Sequence, residues 1–247
     1  MTLQDFFSRN PRAAVAFSGG VDSAYLLWAA KACGCDVRGY YVHSAFQPAF
    51  ELADARRLAE RYAIPMTVLE ADVLAVPGAA ANGPDRCYHC KRALFSLLRE
   101  AAAGDGYTLL LDGTNASDDA GDRPGMRALA ELCVRSPLRE CGLTKEEIRR
   151  RSREAGLFTW DKPAYACLAT RVPTGTAIRL EDLKRVEAAE NALFSLGFSD
   201  FRVRLYGGAA RLQLPEAQMG RALARREAVL EALSPLFDGV FLDLGGR

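Results

Sequence analysis

Short apolar runs alternate with segments of helical periodicity along most of the chain. The runs predict strands at residues 13–17, 37–43, 66–70 and 107–112, and a short strand near 133–135. Between them apolar residues recur at helical spacing, as at Leu94, Leu97, Leu98 and Ala101, which indicates helices with one apolar face. Strands that alternate with helices favour the α/β class, with a doubly wound parallel sheet covered by helices.

This alternation is interrupted at residues 157–175, where Pro163, Pro173 and Gly175 predict an ordered loop. The elements predicted beyond it are a helix from Leu180 to Leu196, strands at 201–206 and 210–214, a helix at 222–233 and a strand at 240–244. Gly207 and Gly208 between the first two of these strands are typical of a turn. We therefore predict two domains, residues 1–173 and 174–247, of which the second is a small α-β-β-α-β unit.

Composition and charge limit the classes of function that we expect for this protein. The chain has 247 residues, 49% of them hydrophobic, with 32 Lys and Arg against 31 Asp and Glu. This balance disfavours a nucleic-acid substrate, because binding a phosphate backbone needs concentrated positive charge. The sequence contains no apolar run of the roughly 18 residues that a membrane span needs, and no apolar core of a secretory signal, so we expect a cytoplasmic protein without membrane contact. Seven cysteines in such a chain favour metal or thiol chemistry over disulfides.

The segment SGGVDS, between the first predicted strand and a helix beginning near Asp22, predicts an anion site. Two glycines allow a tight turn that exposes backbone N–H groups at a helix N-terminus, and the Asp22 carboxylate suits Mg²⁺ on a phosphate. The segment is neither a Walker A loop nor a dinucleotide-binding GxGxxG pattern. A serine-glycine turn that only caps the helix is the alternative.

The same hexapeptide resembles the PP-loop of ATP pyrophosphatases, which adenylate a substrate and release pyrophosphate. The resemblance implies a doubly wound fold for the first domain, with ATP and Mg²⁺ bound at the carboxyl ends of its first strands. It also implies the phosphate-binding residues: Ser18, Gly19, Gly20, Val21, Asp22 and Ser23.

Further motifs resemble one family within that superfamily. They are CYHCK at 87–91, DGTNASDD at 112–119, RPG at 123–125, SPL at 136–138, GLTKEEIR at 142–149 and WDKPAYACLATRVPTG at 160–175. In this order they are similar to the LarE family of ATP-dependent sulfur transferases, and the resemblance spans nearly the whole chain. It implies adenylation of a carboxylate of a pyridinium dicarboxylate mononucleotide and its conversion to a thiocarboxylate, for the nickel-pincer nucleotide cofactor. The expected partners are this small nucleotide, sulfide or another sulfur donor, and further copies of the chain.

The resemblance makes Cys167 the sulfur-handling cysteine. Some members of the family sacrifice this side chain and leave dehydroalanine, whereas others hold a four-iron, four-sulfur cluster through three thiolates, with one iron free for an extra sulfide. Cys87, Cys90 and Cys167 supply such a trio, and we expect the cluster. A helix start with two partly buried cysteines is the alternative for CYHC. A zinc site is disfavoured, because the sequence contains no second CxxC or HxxxH.

Several other residues are candidates for contacts with ATP or substrate. Asp112, Gly113 and Thr114 end a predicted strand, so their backbone and hydroxyl groups are candidates to contact the α-phosphate, and Asp118 is a candidate to contact metal or ribose. Arg123 and Lys162 are candidates to neutralise charge on the phosphates or on the substrate carboxylates, with a surface charge as the alternative for each. Three arginines on the paired strands of the second domain suit an anionic substrate or simply a solvated face: Arg202, Arg204 and Arg211. Two acidic residues, Glu187 and Glu190, are candidate metal ligands near the sulfur site.

Two other kinds of function remain open at this stage. One is a different PP-loop enzyme, either a tRNA thiolase with three cysteines or an amidating ligase similar to NAD or GMP synthetase. The other is a nucleotide-binding regulator without turnover, which the intact SGGVDS segment disfavours.

Overall fold

Four parallel strands form the central sheet of the N-terminal part. The structure, a computed structural model, describes residues 1–118 and 124–247. The strands are β1 (Arg12–Ala16), β2 (Asp36–His43), β3 (Met66–Glu70) and β4 (Leu110–Leu111), in the order β3-β2-β1-β4. β1 lies inside the sheet, so the loop that follows it leaves from the middle of the carboxyl edge.

Helices cover both faces of this sheet. They are α1 (Leu3–Arg9), α2 (Val21–Ala32), α3 (Ala49–Arg61), α4 (Pro77–Ala80), α5 (Arg86–Gly104), α6 (Pro124–Glu131), α7 (Pro137–Glu140) and α8 (Lys145–Glu154). Side chains alternate along β1, so Val15 packs in one apolar cluster with Leu26 of α2, while Ala14 packs in another with Leu98 of α5. The α/β class with a parallel sheet flanked by helices is therefore confirmed.

A second, smaller sheet forms the C-terminal part. Its strands are β5 (Arg202–Tyr206), β6 (Ala209–Gln213) and β7 (Val240–Leu242), with β5 antiparallel and β7 parallel to β6. The helices of this part are α9 (Leu180–Ser195), α10 (Glu216–Ala224) and α11 (Arg226–Leu233). Its apolar core also includes Phe46 and Leu168 from before residue 174. The domain boundary after residue 173 stays a prediction.

Some element bounds differ from those that the sequence pattern predicts. The strand expected at 107–112 is the two-residue β4, because only Leu110 and Leu111 pair with β1. The strand expected near 133–135 is a single bridge from Arg135 to Leu111, since Cys133 has a φ of +54° and leaves the extended conformation. The helix expected at 222–233 is two helices, α10 and α11, which meet at Arg225. Within the described residues, no helix is both long and apolar enough to cross a membrane.

Candidate active site

The phosphate loop, residues 18–23, connects β1 to α2 and has the geometry of an anion site. Gly19 has a φ of +72°, and a Cβ atom there would lie 2.8 Å from the carbonyl oxygen of Glu51, so only glycine fits. Gly20 is the N-cap of α2 and has no side chain with which to cap the helix. The first N–H groups of α2 are thereby left to an external anion. The hydroxyl oxygens of Ser18 and Ser23 lie 3.0 Å apart and tie the two ends of the loop together.

Asp22 lies at the start of α2 with its two carboxylate oxygens in different environments. Oδ2 forms an ion pair with Lys145 Nζ at 2.5 Å, whereas Oδ1 is buried and has no hydrogen-bond partner among the described residues. Burial raises the pKa of Asp22, and the ammonium group of Lys145 opposes that shift. A buried carboxylate oxygen without a partner is costly, so this position favours a bound cation such as Mg²⁺.

The carboxyl end of β4 lies directly against the phosphate loop. A Cβ atom on Gly113 would lie 2.8 Å from the backbone nitrogen of Ser23, so glycine permits this close approach. Asp112 accepts hydrogen bonds from Thr114 Oγ1 at 2.5 Å and from Ser136 Oγ at 2.6 Å, which occupies both of its oxygens.

The loop after β4 holds Asp118, whose Oδ2 accepts a hydrogen bond from the backbone of Asn115 at 2.8 Å. Arg123, the remaining predicted residue of this region, lies outside the described residues.

The three predicted sulfur-site cysteines come from two distant segments. Cys87 and Cys90 lie in the first turns of α5, the former exposed and the latter partly buried. Cys167 precedes a short 3-10 helix, Leu168–Arg171, and the N–H of Leu168 donates to the carbonyl of Phe46 at 2.8 Å. This backbone contact anchors the segment of Cys167 beside the carboxyl end of β2.

One cavity of about 430 Å³ connects the cysteines with the phosphate loop. The predicted site residues that line it are Ser18, Gly20, Asp22, Ser23, Cys87, Cys90, Gly113, Thr114, Asp118 and Cys167. The structure therefore brings together most of the predicted nucleotide site and the whole cysteine trio.

Burial favours the protonated form of two of these thiols, Cys90 and Cys167. It raises the pKa of Cys90 to about 12 and also raises that of Cys167, against which the guanidinium of Arg86 acts. Arg86 donates to the carbonyl of Ala169 at 3.0 Å and approaches Cys87 Sγ at 3.8 Å. Both segments that carry the thiols are thus in contact with one cationic side chain.

The thiols are not arranged around a single ion. In residues 1–118 and 124–247, no group of three or more His, Cys, Asp or Glu side chains is placed to hold one metal ion. A four-iron cluster has a different requirement, because each thiolate binds its own iron at a separate corner. The cluster expected on Cys87, Cys90 and Cys167 therefore stays a prediction.

A buried ion pair contacts the segment that carries Cys167. Arg171 and Glu190 each have 1% of their side chain exposed, with Nε and Oε1 2.8 Å apart. Glu190 also accepts hydrogen bonds from the Tyr165 hydroxyl and from the N–H of Val203, while Arg171 donates to the carbonyl of Ala166. The hypothesis that Glu190 binds a metal is wrong in this structure, because its two oxygens are already engaged.

Glu187, the other predicted metal ligand, lies elsewhere on α9. Its Oε1 accepts a hydrogen bond from the N–H of Ala49 at 2.7 Å, at the N-terminus of α3. A carboxylate at this place stabilises the helix start, and the part of Glu187 in metal binding stays a prediction.

Lys162 lies beside the phosphate loop without lining the cavity that the cysteines share. Its Nζ donates to Asp54 at 2.7 Å and to the carbonyl of Gly19 at 3.3 Å. It lines a second cavity of about 530 Å³, on whose walls stand the rings of Phe50 and Tyr165. Its predicted part in catalysis stays a prediction.

The arginines of the small sheet differ in their contacts. Arg204 donates to the carbonyl of Thr170 at 2.7 Å, and Arg211 lies 3.4 Å from Asp243. Arg202 has a buried Nε without a hydrogen-bond partner among the described residues. Burial and the neighbouring arginines lower the pKa of both Arg202 and Arg204, so an anion at this place would stabilise both.

Sequence reasoning missed the ion pair of Lys145 with Asp22 at the phosphate loop. The available signal was its place in GLTKEEIR, where Thr144 accepts a hydrogen bond from the N–H of Glu147 and caps α8. That cap fixes the start of the helix and therefore the position of Lys145 over the phosphate loop.

Fold and cavity together define the class of protein. It is an α/β protein with an anion-binding loop at the carboxyl edge of a parallel sheet, and with three thiols at the same cavity. No protein-family model matches the chain.

Similar proteins identify the family within this class. The pyridinium-3,5-bisthiocarboxylic acid mononucleotide synthase of Lactiplantibacillus plantarum is 37% identical over 238 residues, which cover 95% of this chain and 86% of that protein. An uncharacterised protein of Synechocystis sp. is 39% identical over 222 residues, covering 88% of this chain and 81% of its own length. Another, of Methanocaldococcus jannaschii, is 27% identical over 223 residues, 90% of this chain and 85% of that protein. The chain belongs to the LarE family of sulfur transferases.

Proposed function

We propose that this protein adenylates a carboxylate of a pyridinium dicarboxylate mononucleotide with ATP and then replaces one carboxylate oxygen with sulfur. The observation that carries the proposal is the single cavity shared by the phosphate loop and Cys167. An acyl adenylate formed at the loop lies within the same cavity as the sulfur site. The relative from L. plantarum carries the name of a synthase for such a bisthiocarboxylic acid.

Adenylation activates a carboxylate oxygen, which is otherwise a poor leaving group. The substrate carboxylate attacks the α-phosphorus of ATP, and pyrophosphate leaves with the electron pair of the broken bond. The N–H groups at the start of α2, the hydroxyls of Ser18 and Ser23 and the ammonium of Lys145 suit the negative charge of pyrophosphate. Asp22 would hold Mg²⁺, which neutralises charge on the phosphates when bound. Gly113, Thr114, Asp118 and Arg123 are the further candidates around the α-phosphate and ribose.

Sulfur transfer completes the reaction. A sulfur nucleophile attacks the acyl carbon, and AMP leaves with its oxygen. We propose that Cys87, Cys90 and Cys167 would hold a four-iron, four-sulfur cluster, which would supply the sulfide that attacks the acyl carbon. A sacrificial mechanism uses only Cys167 and assigns no chemistry to Cys87 and Cys90, although all three thiols line the cavity.

The substrate carries a phosphate and two carboxylates, so its site needs positive charge. Arg202 has an unpartnered buried Nε, and Arg204 contacts the carbonyl of Thr170, three residues after Cys167. These two arginines repel one another and gain from a bound anion. We therefore propose that they bind the acidic groups of the mononucleotide.

Mass spectrometry of an anaerobic reaction tests this function. Wild-type protein with the dicarboxylate mononucleotide, ATP, Mg²⁺ and sulfide is expected to yield AMP, pyrophosphate and a product in which sulfur replaces oxygen. Cys167→Ala serves as the control that loses only the sulfur step. Thiolation of tRNA alone would support a tRNA thiolase, and an amide formed with ammonia would support an amidating ligase. ADP and phosphate as steady products would overturn the proposal.

A further inference from the structure

The segment that carries Cys167 depends on side-chain contacts for its position. Residues 162–167, all of them described, form neither helix nor strand. Their far end is held by Arg171 and by the backbone contact of Leu168 with Phe46. Trp160 and Lys162 lie at the start of the same loop. We define residues 160–167 as the cysteine loop.

Arg149 of α8 holds the near end of the cysteine loop. Its Nη1 donates to the carbonyl of Trp160 at 2.7 Å and its Nη2 donates to the carbonyl of Lys162 at 2.8 Å. A planar guanidinium with two donors fixes both carbonyls at once, which a lysine ammonium does not reproduce with the same geometry. The start of the loop is therefore set by the position of α8.

The same face of α8 also holds the phosphate loop. Lys145 precedes Arg149 by four residues, so both side chains project from one face of the helix, and Lys145 contacts Asp22 at 2.5 Å. From the other side, Lys162 of the cysteine loop donates to the carbonyl of Gly19 in the phosphate loop. The phosphate loop, α8 and the cysteine loop are therefore each in contact with the other two.

We propose that Arg149 is a positioning residue for sulfur transfer: it sets the distance between the cysteine loop and the phosphate loop and is dispensable for adenylation. This inference rests on the proposed function, because it assigns Arg149 to the second of its two steps. Transfer requires the acyl carbon and the sulfur to approach within bonding distance, and a displacement of about 1 Å can reduce such a rate about 100-fold. Adenylation takes place at the phosphate loop, which retains Lys145.

Two substitutions separate the effect of geometry from that of charge. Arg149→Lys keeps a positive charge near Asp22 and loses the paired contact with the two carbonyls, whereas Arg149→Met loses both. Arg150→Met is the matched control, because Arg150 is exposed and pairs with Glu147 and Glu154 on the outer face of the same helix.

Each variant is measured in three assays. Pyrophosphate exchange into ATP, with the mononucleotide present, reports adenylation. Thiocarboxylate formation in a single turnover reports transfer. The alkylation rate of Cys167 by iodoacetamide, measured on protein without iron and followed by peptide mass spectrometry, reports the position of the cysteine loop without any turnover.

We expect Arg149→Met to lower the transfer rate about 100-fold and Arg149→Lys to lower it by less, with pyrophosphate exchange near the wild-type rate in both. Cys167 alkylation is expected to accelerate in both variants and to stay unchanged in Arg150→Met. Equal loss of exchange and transfer, or no loss of transfer, would overturn the inference. If wild-type protein lacks both half-reactions, the proposed function fails. The alkylation rates of Cys167 then show on their own whether Arg149 holds the cysteine loop. Rates in both Arg149 variants equal to the wild-type rate would overturn this positioning role as well.

Discussion

Removal of one partner of the buried pair of Arg171 and Glu190 is expected to destabilise the C-terminal core strongly. Glu190→Ala removes the carboxylate that accepts from Arg171 at 2.8 and 3.1 Å, from the Tyr165 hydroxyl and from the N–H of Val203. Both charged side chains are 1% exposed, so water cannot replace the lost carboxylate without a rearrangement. The guanidinium of Arg171 is then left as a buried charge without its counterion.

Such a change costs about 3–5 kcal/mol in the free energy of unfolding. For a chain of this length, that corresponds to a decrease in Tm of roughly 6–20 °C. Thermal unfolding followed by circular dichroism, with and without EDTA, measures the effect directly. Glu190→Gln, which keeps one acceptor oxygen, is expected to lie between Glu190→Ala and the wild type.

Two controls make this prediction specific. Glu227→Gln removes one partner of an exposed pair with Arg226 and is expected to leave Tm unchanged. The double variant Arg171→Met, Glu190→Met removes both charges and is expected to recover part of the loss, because no buried charge remains unpaired. If EDTA lowers the Tm of the wild type but not that of Glu190→Ala, the ion-pair explanation is refuted. Glu190 would then be a metal ligand.

Two further predictions concern the phosphate loop. Asp22→Ala is expected to abolish pyrophosphate exchange, because the lost carboxylate is proposed to hold the metal. The circular dichroism spectrum is expected to stay unchanged. Exchange at the wild-type rate would contradict this role of Asp22. Burial raises the pKa of Glu51, beneath Gly19, from 4.5 to about 7. The folded state therefore binds this proton more tightly than the unfolded state, so the associated stability is present below pH 4.5 and is lost as the pH rises through about 7. Glu51→Gln is expected to remove this part of the pH dependence of Tm between pH 5 and 8, and an identical pH profile of the two proteins would contradict it.

Local patterns predicted the parts of the fold that local chemistry decides. β3 has the predicted bounds, Met66–Glu70, because Pro65 precedes it and Thr67, Val68 and Leu69 favour an extended strand. Gly19 was predicted in a tight turn, and its φ of +72° confirms it. By contrast, the sequence pattern gave no sign that Cys133 adopts a φ of +54° or that a helix break falls at Arg225, since neither is a residue that usually breaks an element.

Contacts between distant residues were beyond sequence reasoning. Asp22 and Lys145 are 123 positions apart, so their ion pair depends on how α8 packs beside α2. The motif around Lys145 was visible, but its partner was not. The acidic residues of α9 suggest metal binding from the sequence alone, whereas the fold brings Arg171 against Glu190.

We propose above all that sulfur is transferred to an acyl adenylate in the cavity shared by the phosphate loop and the cysteine trio. The most direct measurement is the number of thiocarboxylate groups formed per protein chain in an anaerobic reaction with ATP, Mg²⁺, the dicarboxylate mononucleotide and excess sulfide. We expect repeated turnover, with Cys167 intact in the recovered protein and with activity lost when Cys87, Cys90 or Cys167 is replaced by Ala. At most one thiocarboxylate per chain, with Cys167 converted to dehydroalanine, would contradict the cluster mechanism, and no thiocarboxylate from iron-reconstituted protein would contradict the function itself.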